Sequence, residues 1–152
     1  MTKKTLIFLI CSYLIAFSIN FFPSIKYPDS NVTILNLLVT VLFIITLLAL
    51  VKKVILKIDS NKGLSIFLTL GCLSGLIIYV ITIFQLEIVQ SATLHMIVSI
   101  HYPLYTLFIT PLFGLNYLFS VNYGFFSLLA SVVYLIGILL IVTSKRIVNQ
   151  SA

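Results

Sequence analysis

Charge is what this sequence has least of. Of 152 residues only three are acidic and nine are Lys or Arg. Charged side chains make up 8% of the chain, against the roughly 25% typical of soluble domains, which excludes a water-soluble globule. The three acids are Asp29, Asp59 and Glu87, and none falls at the centre of an apolar run. A proton-coupled exporter needs an intramembrane carboxylate, and no residue here can serve as one. Asp29 and Asp59 belong to loops on opposite sides, so no Ser–His–Asp set can be assembled. The patterns G-x-x-x-x-G-K-[ST], H-E-x-x-H and C-x-x-C are missing, and with them the phosphate-cradle, zinc-protease and dithiol chemistries they carry. Cysteine is scarce as well: Cys11 and Cys72 lie inside apolar runs without metal-site spacing and read as small apolar fillers. No internal repeat of the kind that builds many transporters is visible. No metal or other cofactor is expected.

What is present is apolar sequence in long blocks. Four runs, at about 5–22, 32–51, 64–84 and 124–143, come close to the ~20 residues that cross a bilayer as a helix. A β-barrel would instead show short alternating segments. The chain reads as one domain, 1–152, an all-α integral membrane protein. Pro23 to Asn31 carries two prolines and Asp-Ser-Asn, so it should end the first helix and form a turn. Lys3 and Lys4 precede the first run, Lys52, Lys53, Lys57 and Lys62 separate the second from the third, and Lys145 and Arg146 follow the last. Basic residues collect on the cytoplasmic side of spans, which places both termini inside. The same positions account for the net charge of +6 without a nucleic-acid partner. Abundant Ile, Lys and Asn beside few Gly and Ala point to an AT-rich bacterial genome and hence to the cytoplasmic membrane.

One stretch, 92–119, has two readings. It is long enough to cross, yet it holds His95, His101, Pro103 and Pro111. Pro103 deletes a helical backbone bond, and Thr110-Pro111 resembles a fresh helix start, with Thr as N-cap and Pro at the first position. Four spans with both ends inside, plus a Pro-broken membrane-embedded outer hairpin, is the favoured architecture. It keeps eight of nine basic residues inside. Five spans is the alternative.

Candidate functional residues are few. His95 and His101 are the groups able to move protons near neutrality, and Glu87 is the nearest acid. They stand six apart on different faces of a helix, which does not suit a shared metal. Gly71 and Gly75 form G-x-x-x-G, a pattern that lets helices approach closely, read here as packing within the bundle. Asn20, Asn36, Tyr79, Ser127 and Ser131 all fall in the outer halves of the spans, as a polar cluster beneath 92–119. The aromatic residues of 102–126 suit an interface with lipid or a partner. These features point to a non-enzymatic accessory, immunity or regulatory membrane protein, bound to the lipid bilayer and to another membrane protein. Two further readings are an enzyme acting on a lipid or lipoprotein at the outer face, and a facilitator for a small neutral solute.

Overall fold

Four helices in the computed structural model are long and apolar enough to span a membrane: Lys4–Lys26, Ile34–Ile55, Lys62–Phe84 and Tyr123–Ser144. The structure describes residues 3–57, 62–88, 99 and 101–150, and every element among them is helical. In order they are α1 (Lys3–Lys26), α2 (Ile34–Lys57), α3 (Lys62–Ile88), α4 (His101–Leu104), a π turn (Tyr105–Ile109), a 3-10 turn (Thr110–Leu115), α5 (Asn116–Phe119) and α6 (Tyr123–Gln150). The protein is thus a helical membrane bundle. α1 pairs with α2 and α3 with α6, while the 3-10 turn wedges against α1 and α2 and the π turn against α3.

The α3–α6 seam follows from the glycines. A side chain at Gly75 would strike the Ser127 carbonyl and meet Ser131 Cβ at 2.8 Å. At Gly71 it would press on the Tyr134 ring, also at 2.8 Å. Bare backbone at both positions lets α6 come close where lipid removes any hydrophobic drive between helices.

Helix α1 does not stop where its proline suggested. It continues through Pro23 to Lys26, so the loop begins four residues later than the sequence implied. Proline has no N–H, which strips the carbonyl four residues earlier of its helical partner. That carbonyl, Ile19 O, accepts a 3.0 Å bond from Asn36 Nδ2 instead. Asn36 Oδ1 also receives Thr33 N–H and Thr33 Oγ1–H at 2.9 and 2.7 Å, tying the residue before α2 to its first turn. One side chain therefore repairs α1 and starts α2.

The segment 101–119 folds back on itself. At its two ends His101 lies beside Tyr123, and Asn116 exchanges 3.0 Å bonds with the Val121 backbone. Its middle reaches far down the bundle, because the Leu107 and Phe108 carbonyls meet hydroxyls from Tyr13 and Tyr134, near the centres of α1 and α6. Tyr105 and Phe113 on the two arms have ring centroids 6.5 Å apart. In a straight helix, eight residues would separate them by about 12 Å. Thr110 does not act as the expected N-cap: Ile109 holds that position and no side-chain cap bond forms. The Thr110 hydroxyl instead pairs with Ser24 Oγ at 3.2 Å, drawn off by a partner on another helix. Ser120, in the left-handed conformation at φ 48°, turns the chain into α6. There Asn122 Oδ1 receives the Phe125 N–H as an N-terminal cap.

Candidate functional site

The folded-back segment builds a place where a histidine, tyrosines and other aromatic side chains converge beside an open cavity. A cavity of about 520 Å³ opens beside it, lined by Ser24, Tyr27, His101, Tyr102, Tyr105 and Tyr123 together with Ile25 and Thr106. This lies within the 300–1,000 Å³ usual for ligand pockets. α1 supplies Ser24 and Ile25, the following loop Tyr27, α4 and the π turn the next four, and α6 the last.

The wall is held from behind. Tyr105 Oη donates to the Ser24 carbonyl at 3.3 Å, fixing the π turn to the end of α1. Its ring meets Tyr123 edge-on at 6.0 Å and Phe113 at 6.5 Å. Phe113 in turn packs on Phe126 at 5.0 Å and Tyr27 at 5.7 Å. His101 is 5% exposed. Its ring lies 3.9 Å from Tyr102 and is stacked 6.4 Å from Tyr123. Tyr102, by contrast, is 67% exposed at the rim. Among the described residues this is an aromatic cleft with hydroxyls and one imidazole and no carboxylate in its lining. It suits stacking and hydrogen bonding with a ligand or side chain, and attraction of a cation to ring faces.

Of the candidates read from the sequence, His101 is in the cleft. His95 lies outside the described residues. Glu87 belongs to the last turns of α3, and its side chain lies outside those the structure describes. No group of three or more His, Cys, Asp or Glu that could hold a metal occurs among the described residues. Cys11 and Cys72 are both free thiols.

The five residues expected to form one polar cluster separate into two groups. Asn20 and Asn36 sit together: Asn36 Nδ2 donates to Asn20 Oδ1 at 3.0 Å. Asn20 Nδ2 then donates to Thr40 Oγ1 at 2.8 Å and to the Pro111 carbonyl at 3.2 Å, and Thr40 Oγ1 donates to that carbonyl at 3.0 Å. Ser127 and Ser131 lie in the α3–α6 seam instead and bond to their own helix, at the Tyr123 and Leu128 carbonyls. Tyr79 stacks edge-on with Phe125 at 5.6 Å. The first group grips the 3-10 turn, and the second keeps hydroxyls satisfied where backbones touch.

Thr40 and Tyr13 were missed by the sequence reading, and Tyr134 was legible only as sharing a face with Ser127 and Ser131; each binds a carbonyl of 107–111. Their signal was a polar atom deep in an apolar run, visible as Thr or Tyr but silent about its partner. Compared with known proteins, the chain matches no family model, no curated protein and no solved structure.

Proposed function

We propose that this chain is a non-enzymatic accessory, immunity or regulatory protein of a bacterial cytoplasmic membrane, which engages a partner membrane protein through the aromatic cleft. It crosses four times with both ends inside, and 101–119 dips into the bilayer from the outer face. The single observation that carries this reading is the cleft itself. Three helices contribute side chains to anchor 107–111, and the segment so fixed leaves open a pocket lined by aromatic side chains, with Tyr102 exposed at its rim. Aromatic anchors around a preformed pocket are what recognition sites are built from. Sidedness rests on charge. Lys4, Lys52, Lys53 and Lys62 stand where α1 and α3 begin and α2 finishes, and Lys26 and Asp29 stand at the other end, the pattern of cytoplasmic and external loops.

Photo-crosslinking in intact cells tests it. A crosslinker replacing Tyr102 should trap one discrete protein adduct, whereas one replacing Leu139, exposed on α6, should not. Lipid adducts alone at both positions would sink the proposal.

His101 within the cleft favours a second reading, acid–base chemistry on a lipid head group. Under it, His101→Ala abolishes the function while His101→Gln, of similar shape, does not restore it. Under the binding reading the glutamine variant keeps most of the activity.

A further inference from the structure

The folded-back segment fills only half of the bundle. Its tip stops at Leu107 and Phe108, and toward the lysine-bearing ends a groove of about 440 Å³ runs between α1, α2 and α3. Leu6, Leu9, Ile10, Leu50, Leu64 and Phe67 line it. Tyr13 closes it at the top, 5.7 Å from Phe43 and 6.4 Å from Phe67. The Tyr13 hydroxyl is already committed to the Leu107 carbonyl, so the groove offers almost nothing to a polar guest. A buried water needs two to four polar partners, and this lining does not supply them. The occupant is apolar.

A second helix does not fit. A helix about 10 Å wide rising 5.4 Å per turn fills roughly 420 Å³ each turn, so the groove would hold about one turn. A flexible acyl chain suits its volume. The mouth selects the head group. Lys4 precedes Leu6 by two residues, Lys62 adjoins Gly63 of the lining, and both are exposed. Lys53 reaches across from α2 to donate to Thr5 Oγ1 on α1. Of the three helices that wall the groove, α1 and α3 begin here and α2 ends here, so one positive helix-dipole end in excess adds to the lysines, and neither α1 nor α3 has an acidic residue in its first turn. We infer that this groove binds one chain of an anionic phospholipid from the lysine-side leaflet, its phosphate held by Lys4, Lys53 and Lys62. Basic pockets between spans are where such lipids are recognised.

Native mass spectrometry of the purified full chain decides it, with dioleoylphosphatidylglycerol and dioleoylphosphatidylcholine supplied in equal amounts. One phosphatidylglycerol per chain should survive release from detergent, in preference to phosphatidylcholine. Changing Lys4, Lys53 and Lys62 to Gln should weaken that preference by about fivefold for each lysine. Leu9→Trp, which fills the groove, should expel lipid of either head group, and Leu139→Trp on the lipid-facing side of α6 should not. Leu6→Trp at the mouth repeats the test should Leu9→Trp fail to fold, as read by helical circular dichroism. Equal retention of both lipids, retention unchanged by Leu9→Trp and Leu6→Trp, or a second copy of the chain in place of lipid would each overturn the inference.

Discussion

Near two of the prolines inside helical paths, Pro23 and Pro111, a backbone carbonyl is completed by a distant side chain. Pro23 frees Ile19 O, which takes the Asn36 amide. Leu107 O, in the π turn just before Pro111, takes the Tyr13 hydroxyl at 2.8 Å. Where the backbone bond spacing changes from the π to the 3-10 turn, Phe108 O takes the Tyr134 hydroxyl at 2.6 Å. In lipid an unsatisfied carbonyl costs several kcal/mol, so these donors are what permits irregular backbone in the middle of the bundle. Tyr134→Phe keeps the buried ring and removes only the donor. It should lower stability by about 1 kcal/mol, the scale of interhelical bonds in membranes, measured as a shift in the SDS-unfolding midpoint. Tyr134→Ala should cost about 3–5 kcal/mol, since an aromatic ring in the core is then lost as well. Equal effects from the two would mean that the hydroxyl contributes nothing. The sequence showed the prolines and the polar residues separately. Their pairing was not legible, because a tyrosine at position 13 carries no mark of a carbonyl 94 residues away.

At the scale of elements the contrast lies between the four long helices and 101–119. Long apolar runs are unambiguous because bilayer thickness fixes their length; their ends are less so, since α1 runs on to Lys26 for the reason Asn36 supplies, and α2 and α6 run past their apolar runs to Lys57 and Gln150. The folded-back segment was legible as an interruption, through its prolines and histidines, but not as a π turn followed by a 3-10 turn. That sequence of turns depends on what the neighbouring helices offer. Gly114 illustrates the point. It is one glycine in Thr-Pro-Leu-Phe-Gly-Leu with no spaced partner, yet a side chain there would run into the Asn36 carbonyl and approach Thr40 Oγ1 at 2.5 Å. Backbone cannot yield as a flexible side chain can. Gly114→Ala should therefore push the 3-10 turn away from α2 and loosen the Pro111 bonds to Asn20 and Thr40. The expected loss is about 1–3 kcal/mol, with faster proteolysis near residue 115 in detergent. Gly137→Ala is the matched control, since its new methyl would meet only the side chain of Leu68, at 3.1 Å, and should be nearly neutral. If both glycine variants behave alike, close docking of the turn is not what holds the segment down.

For the whole molecule the deciding quantity is sidedness, because it sets what the cleft can meet. The fully buried Ile109, Leu112 and Phe113 of the fold-back belong to turns packed against α1, α2 and α3. If they fill the path a solute would need, proteoliposomes carrying the protein should take up glycerol no faster than empty ones in a light-scattering assay, and faster uptake would favour the facilitator. The cleft and the Ser120 turn share one end of the bundle, while Lys62 and Ser65 share the other. In a variant with Cys11 and Cys72 replaced, single cysteines at Ser120 and at Ser65, both exposed, report the two ends. With both termini cytoplasmic, a membrane-impermeant thiol reagent on intact cells should label the Ser120→Cys variant and spare Ser65→Cys until the cells are opened. That outcome puts the cleft outside, facing external head groups or the outer surface of a partner, and puts the groove with its lysines in the inner leaflet. The reverse pattern would invert the molecule. The same bundle would then offer its cleft to the cytoplasm, and the lysines would lie where positive charge is disfavoured, which would remove the basis for the orientation proposed above while leaving the bundle itself unchanged.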